Sequence, residues 1–110
     1  GGNAFDAGVA ANFTLQIVEP HLNGPGGDAP IMIHETKTGR TKVICGQGIA
    51  PKGLTIDHCR KLGLDLVPGS GLLATCVPGT FDALMLVLRD YGTIPLREAL
   101  EPAIHYARHG

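Results

Sequence analysis

The run Gly24-Pro25-Gly26-Gly27 is the feature of this sequence that most restricts its fold. A glycine-rich backbone can approach another chain segment closely and can adopt positive φ angles where they are needed. Such a loop most often forms a tight turn between core elements, and less often its backbone forms a wall of a ligand site. We therefore expect a helix before the run and short strands after it, with Gly26 and Gly27 as candidate pocket-wall backbone.

The composition indicates a globular protein without a charged binding surface. Hydrophobic residues make up 44% of the 110 residues and charged residues 17%, which is a globular balance. A formal net charge of −1 offers no electrostatic footprint for nucleic acid or an anionic membrane. No apolar run reaches spanning length. The sequence thus predicts no nucleic-acid partner and no membrane span in this segment.

The chain also resembles a piece of something larger. It opens on Gly1 without a methionine and carries 16 glycines, 8 prolines and no tryptophan, which is little material for a core. Neighbouring chain would relieve that shortage. We therefore expect residues 1–110 to form a single segment and an incomplete part of a domain.

The first predicted helix begins at Asn3, a good N-cap, with Asp6 three residues later where an acidic side chain favours a helix start. It ends near Glu19, because Pro20 disfavours helical geometry in the residue before it. The apolar residues recur at a spacing of four, which is a helical stripe. The residues of this stripe are Phe5, Val9, Phe13 and Ile17.

Three strands are predicted after the glycine-rich loop. Ile31–Glu35 and Thr41–Cys45 are β-rich runs joined by a short polar turn, which predicts a hairpin. The second run is apolar on both faces, as expected for a strand covered by helices. Leu72–Val77 is predicted to form a third strand.

The remaining helices are predicted over Pro51–Leu62, Thr80–Tyr91 and Thr93–Gly110. Thr80 is expected to act as an N-cap, and Pro102 is expected to divide the last helix in two. The side chains predicted to face inward are Leu54, Ile56, Cys59, Leu62, Phe81, Leu84, Leu88, Tyr91, Ala103, Ile104 and Ala107. Helices and strands in this proportion predict an α/β (α+β) fold class.

Several short sequence motifs do not indicate the sites that they usually mark, because the residues around them do not fit. Gly24–Ala29 fits the dinucleotide fingerprint G-x-G-x-x-A, but the fingerprint needs a strand before it and a helix after it, and here the order is reversed. His58 and Cys59 are neighbours on a helix, where side chains point about 100° apart and cannot easily pair. His105 and His109 have metal-ligand spacing, yet no Glu follows the first His, and a solvated face is the better interpretation. We expect no cofactor and no metal.

The sequence contains three cysteines, Cys45, Cys59 and Cys76, an odd count without C-x-x-C spacing. We expect them to be small buried hydrophobic residues. A disulfide framework is not indicated, which leans toward a reducing compartment such as the cytoplasm. The sequence otherwise leaves the localisation unknown.

Gln47 is a lone polar side chain between Gly46 and Gly48, at the exit of a predicted buried strand. Such a residue either binds loop backbone or contacts a ligand, and the local pattern favours the first of these.

Six separated landmarks carry a family resemblance, and together they cover nearly the whole chain. They are Gly1–Ala7, Val18–His21, Asn23–Gly27, Ala50-Pro51, Val77–Gly79 and Pro102–Ile104. In order and spacing they resemble part of the large subunit of the γ-glutamyltranspeptidase family, whose members are N-terminal-nucleophile hydrolases.

The resemblance implies a fold and an activity. The family fold places two β-sheets between helical layers, an αββα arrangement. A proenzyme cleaves itself and frees a Thr whose hydroxyl attacks the γ-amide of glutathione or a related compound, with its own α-amine as base. Water or an amino acid or peptide amine then takes the γ-glutamyl group. The implied partners are a small-molecule amide substrate, the remainder of the large subunit, and the small subunit.

The nucleophile lies C-terminal to the region that this sequence resembles, so no catalytic residue is expected within it. The segment alone is therefore expected to be inactive, whereas the full-length protein would be an enzyme.

One substrate residue of the family does fall within the segment. In the family, an Arg that binds the α-carboxylate of the γ-glutamyl group stands four residues before the proline of the Ala-Pro pair. Counted back from Pro51, that position is Gln47. An amide cannot reproduce the charged, bidentate grip of a guanidinium, and losing a charge-assisted bond costs about 1.5–3 kcal/mol. Either another cation supplies the charge, or the protein accepts a different amide, as acylase relatives do. A non-catalytic homologue or scaffold remains a further alternative.

Overall fold

The structure, a computed structural model, describes all residues 1–110. Its elements, in chain order, are α1 (Ala4–Val18), β1 (Pro30–Glu35), β2 (Arg40–Cys45), α2 (Ile56–Lys61), a single 3₁₀ turn (Leu72–Ala74), α3 (Thr80–Tyr91) and α4 (Leu96–His109). The predicted mixture of helices and strands is confirmed. None of the helices is long and apolar enough to cross a membrane.

Helix α1 begins as the sequence predicts. The Asn3 side chain accepts the backbone N–H groups of Phe5 and Asp6 at 2.8 and 3.0 Å, and the Asp6 carboxylate accepts the Asn3 N–H at 2.7 Å. This reciprocal pair is a capping box, which satisfies donors that a helix start leaves without partners. The helix ends at Val18, shortly before Pro20.

Strands β1 and β2 form the predicted hairpin, antiparallel, with Pro30 opposite Cys45 and Glu35 opposite Arg40. Gly39 closes the turn at a φ of +64°, which glycine adopts without strain. One face of the sheet turns Ile33 into the core, while Val43 on β2 is 63% exposed. The expectation that helices cover β2 on both faces is therefore wrong within this chain.

The core lies where α1, α3 and α4 meet β1. Its members, all buried, are Val9, Phe13, Ile33, Leu84, Val87, Leu88, Ala99 and Ala103. The molecule is a slab of 55 × 41 × 18 Å, and so thin a shape leaves many large apolar side chains exposed. Leu22, Ile49, Leu66 and Leu72 are each more than 70% exposed.

Two predictions about element type are wrong. Residues Leu72–Val77 form no strand. A 3₁₀ turn covers Leu72–Ala74 and ends with the Thr75 N–H donating to the Leu72 carbonyl at 3.2 Å. The one backbone bond to another segment is from the Val77 N–H to the Ile49 carbonyl, at 2.9 Å. Pro102 does not divide the last helix, because α4 runs unbroken from Leu96 to His109. The proline lies on the exposed side of α4, where water can satisfy the backbone carbonyl that it leaves without a donor.

Burial also departs from the prediction at several side chains. Helix α2 begins only at Ile56, because the Thr55 hydroxyl caps it by accepting the His58 N–H at 3.1 Å. The side chains predicted inward but found exposed are Ile56, Leu62, Phe81, Ile104 and Ala107. Of the cysteines, only Cys59 is buried, whereas Cys45 and Cys76 are exposed. The molecule is only 18 Å thick in its shortest dimension, so few of these side chains can be covered.

Candidate functional site

Three segments of the chain meet at the first turn of α3, and we call this meeting point the glycine junction. It consists of Gly24–Ala29, Gly46–Gly48 and Val77–Thr80. The first two segments pair directly: the Ala29 N–H donates to the Gly46 carbonyl at 3.2 Å, and the Gly46 N–H donates to the Ala29 carbonyl at 3.0 Å. This pair extends the hairpin ladder by one step beyond Pro30 and Cys45.

Glycines allow the segments to approach as closely as they do. A Cβ on Gly79 would lie 2.6 Å from the Gly46 carbonyl oxygen and 2.9 Å from that of Gln47. A Cβ on Gly48 would overlap the Val77 carbonyl oxygen. Real Cβ atoms are not found so close to backbone oxygens, so only glycine fits either position. The backbone of Gln47 is thus held on both sides.

Thr80 fastens the glycine-rich loop to the same point. Its side chain is 3% exposed, and its hydroxyl donates to the Gly27 carbonyl at 2.6 Å. The prediction that Thr80 is an N-cap is wrong: Gly79 occupies that position, Thr80 is the first helical residue, and no side chain caps α3. The sequence contained no signal for this bond, because its partners are 53 residues apart.

Gln47 itself is exposed, although its backbone is tightly packed. The only side-chain hydrogen bond at its amide comes from the Cys45 thiol, which donates to Oε1 at 3.6 Å. The thiol, a weak donor, contacts only the amide oxygen, so both N–H donors of Nε2 remain available to a ligand. Both sequence interpretations of Gln47 remain open in this geometry, and the role of substrate contact stays a prediction.

The two candidate wall residues differ in position. Gly27 lines a cavity of about 90 Å³ that also includes Asn12, Gln16, Asn23 and Thr80, whereas Gly26 does not. A cavity of this size is below the range of small-molecule sites. Gln47 does not line it. Gly26 and Gly27 as pocket walls therefore also stay predictions.

The glycine junction contains one ionisable side chain, that of Asp28. No group of three or more His, Cys, Asp and Glu side chains could hold a metal ion. The resolved pKa shifts belong to Asp6, which contacts Thr93, and to the surface ion pairs Glu35–Lys42 and Arg89–Asp90. None of these groups belongs to the glycine junction.

Comparison with known proteins places this geometry in a family. The γ-glutamyltranspeptidase family model matches residues 1–110. The chain is 40% identical over 111 residues to the glutathione hydrolase-like YwrD proenzyme of Bacillus subtilis, covering 100% of this chain and 21% of that protein.

Solved structures agree. The structure of LmbA2991HD is 56% identical, has a TM-score of 0.85, and is matched over 96% of this chain and 18% of its own. Cephalosporin acylase from Bacillus halodurans is 35% identical with a TM-score of 0.88, over 99% of this chain and 20% of that one. The chain thus spans about a fifth of the length of these relatives. The predicted resemblance and fold class are confirmed, and the chain belongs to the γ-glutamyltranspeptidase family.

Proposed function

We propose that the full-length protein is a self-processing amide-bond enzyme of the γ-glutamyltransferase and hydrolase type. It moves an acyl group from glutathione or a related amide to water or to an amino acid or peptide acceptor, through an acyl-enzyme on an N-terminal Thr. The nucleophile comes from chain outside these residues, so residues 1–110 supply part of the acyl pocket and are inactive alone. YwrD, a glutathione hydrolase-like proenzyme by its name, supports the reaction class.

The observation that carries this proposal is the placement of Gln47. Its backbone lies between Gly46 and Gly48, against Gly79, while its side chain is exposed. Because the backbone is already ordered, binding through Gln47 would cost side-chain entropy only, and the exposed amide is available for contact with a substrate. Its position in the sequence is that of the carboxylate-binding Arg of the family.

The amide at this position favours an acylase as the second candidate. An amide of Gln offers neutral donors and an acceptor, whereas a guanidinium offers a charged fork that matches a carboxylate. An acyl group without an α-carboxylate would therefore lose nothing at Gln47. Similarity to the cephalosporin acylase of Bacillus halodurans supports this candidate. A non-catalytic scaffold is the third possibility, and it would leave the full-length chain uncleaved.

Replacing Gln47 with Arg in the full-length protein tests the carboxylate account. We expect kcat/KM for γ-glutamyl-p-nitroanilide to rise about tenfold to a hundredfold, because a charge-assisted bidentate bond replaces a neutral one. Gln47→Lys should give a smaller gain, since an ammonium is a point charge without the fork. Turnover of the matching butyryl amide, which lacks both the α-amino and the α-carboxylate groups, should not rise, whereas the glutaryl amide, which keeps the carboxylate, should gain with the γ-glutamyl substrate.

The control is Thr36→Arg, which adds the same charge on the exposed hairpin turn. It should leave kcat/KM unchanged for all of these substrates. Unchanged γ-glutamyl kinetics in Gln47→Arg would count against a carboxylate at this position. Mass analysis of the purified full-length protein separates the classes: two chains support an enzyme, and one intact chain supports the scaffold.

A further inference from the structure

The glycine-rich loop is connected to α3 by one buried side chain. The Thr80 hydroxyl donates to the Gly27 carbonyl at 2.6 Å, and Thr80 is 3% exposed. The loop also contains a short turn in which the Gly27 N–H donates to the Gly24 carbonyl at 3.1 Å. Between Gly24 and Asp28, the Thr80 bond is the only side-chain hydrogen bond to the loop. The loop therefore depends on this hydroxyl for its place on the helix.

The same helix start fixes the Gln47 backbone. Gly79, the residue before Thr80, lies against the carbonyl groups of Gly46 and Gln47, at 2.6 and 2.9 Å from its would-be Cβ. Two neighbouring residues of one helix turn thus hold the two predicted parts of the acyl pocket. Gly79 holds the Gln47 segment by contact, and Thr80 holds Gly27 by a hydrogen bond.

We propose that Thr80 is a positioning residue that sets the distance between the Gly26-Gly27 backbone and Gln47, and thereby the fit of the acyl group. This inference rests on the proposed function. The hydroxyl proton of Thr80 is already committed to Gly27, and Thr80 is the first residue of α3 with no side-chain capping bond. Its hydroxyl therefore acts on the pocket through Gly27 and is not itself a catalytic group.

Thr80→Val tests this in the full-length enzyme, because valine keeps the shape of threonine and removes only the donor. We expect KM for the acyl donor to rise about tenfold, with kcat changed less than about threefold, since a displaced wall weakens binding of the acyl group. Thr80→Ser keeps the donor and should restore KM to within about twofold of wild type.

The matched control is Thr14→Val. Its hydroxyl also donates to a backbone carbonyl, that of Ala10 at 2.8 Å, but within α1. A residue that only stabilises the fold would lower the active fraction, and so the apparent kcat, without changing KM. The proposal is therefore overturned by an unchanged KM in Thr80→Val, by failure of Thr80→Ser to restore it, or by an equal rise in Thr14→Val.

Amide hydrogen exchange keeps the two proposals separate. Thr80→Val should increase exchange at Gly27 and Ala29, whose N–H groups donate to Gly24 and Gly46. Should wild-type protein hydrolyse neither γ-glutamyl nor glutaryl amides, the proposed function fails, and the exchange measurement still decides whether Thr80 holds the loop. Unchanged exchange at both amides would refute the positioning role whatever the activity.

Discussion

Gly48→Ala is expected to destabilise the full-length protein by about 2–4 kcal/mol, the range of severe packing defects. The added methyl group would overlap the Val77 carbonyl oxygen and would come within 2.9 Å of the Cys76 Cβ. Both neighbours belong to the segment that leads into Gly79, so relief requires the backbone to move. Because Gln47 is the adjacent residue, any soluble variant should also lose affinity for its acyl donor.

The matched control for this change is Gly53→Ala. A Cβ on Gly53 would have no heavy atom within 4 Å, and its φ is not in the left-handed region. That substitution should alter stability by no more than about 0.5 kcal/mol. Urea or thermal unfolding of both variants, at one scan rate, compares them. Equal stabilities would mean that the Gly48 segment is not in close contact with Val77.

The parts of the fold that the sequence predicted are those governed by short-range chemistry. Asn3 is the expected N-cap, and it forms a capping box with Asp6 because the two residues bond to each other's backbone within one turn. The hairpin formed because alternating β-rich runs flank a turn containing Gly39, which takes the required positive φ. Gly63, which follows α2 closely, likewise takes a positive φ of +72°.

The failed predictions concern features decided by contacts between distant segments. Pro102 was expected to break a helix, yet Ala99 and Ala103, 0% and 6% exposed, pack into the core on either side of it and keep α4 continuous. Thr80 is a residue type that favours N-cap positions, but its hydroxyl donates to the Gly27 carbonyl instead. Helix propensity describes local preferences only. It cannot tell whether a side chain will bond within its own helix or to a distant segment.

The candidate site divides in the same way. The sequence singles out Gln47 because a polar residue between two glycines after a strand is a local pattern. The family resemblance predicts a substrate role for it. Two contacts become evident only in the structure: Gly79 lies against Gln47, and the Thr80 hydroxyl donates to the Gly27 carbonyl. The sequence could nominate the side chain but not the residues that hold it in place.

Asp6 carries the second large expected effect. Its side chain, 1% exposed, accepts the Thr93 hydroxyl at 2.6 Å and the backbone N–H groups of Asn3, Thr93 and Ile94. One carboxylate thus joins the start of α1 to the connection between α3 and α4. Asp6→Asn replaces an oxygen acceptor with an amide donor that faces these donors, so buried groups lose their partners. We expect the melting temperature of the full-length protein to fall by on the order of 5 °C.

The same residue should make stability depend on pH. Burial alone would raise the pKa of Asp6, but the Thr93 hydroxyl and the N–H groups of Asn3, Thr93 and Ile94 outweigh it and lower the pKa from 3.8 to about 2. Since the folded pKa is the lower one, the ionised carboxylate stabilises the protein fully above pH 3.8, and this contribution is lost as the pH falls toward 2.

Melting temperatures of wild type and Asp6→Asn, measured between about pH 6 and pH 2.5, should therefore converge as the pH falls. Asp65→Asn is the control, because Asp65 is exposed and makes no side-chain hydrogen bond; its curve should run parallel to that of wild type. A constant difference between wild type and Asp6→Asn across the range would show that the charge of Asp6 is not what holds the helices together. The loss of stability in Asp6→Asn would then come from the altered hydrogen-bonding groups of the side chain and not from its charge.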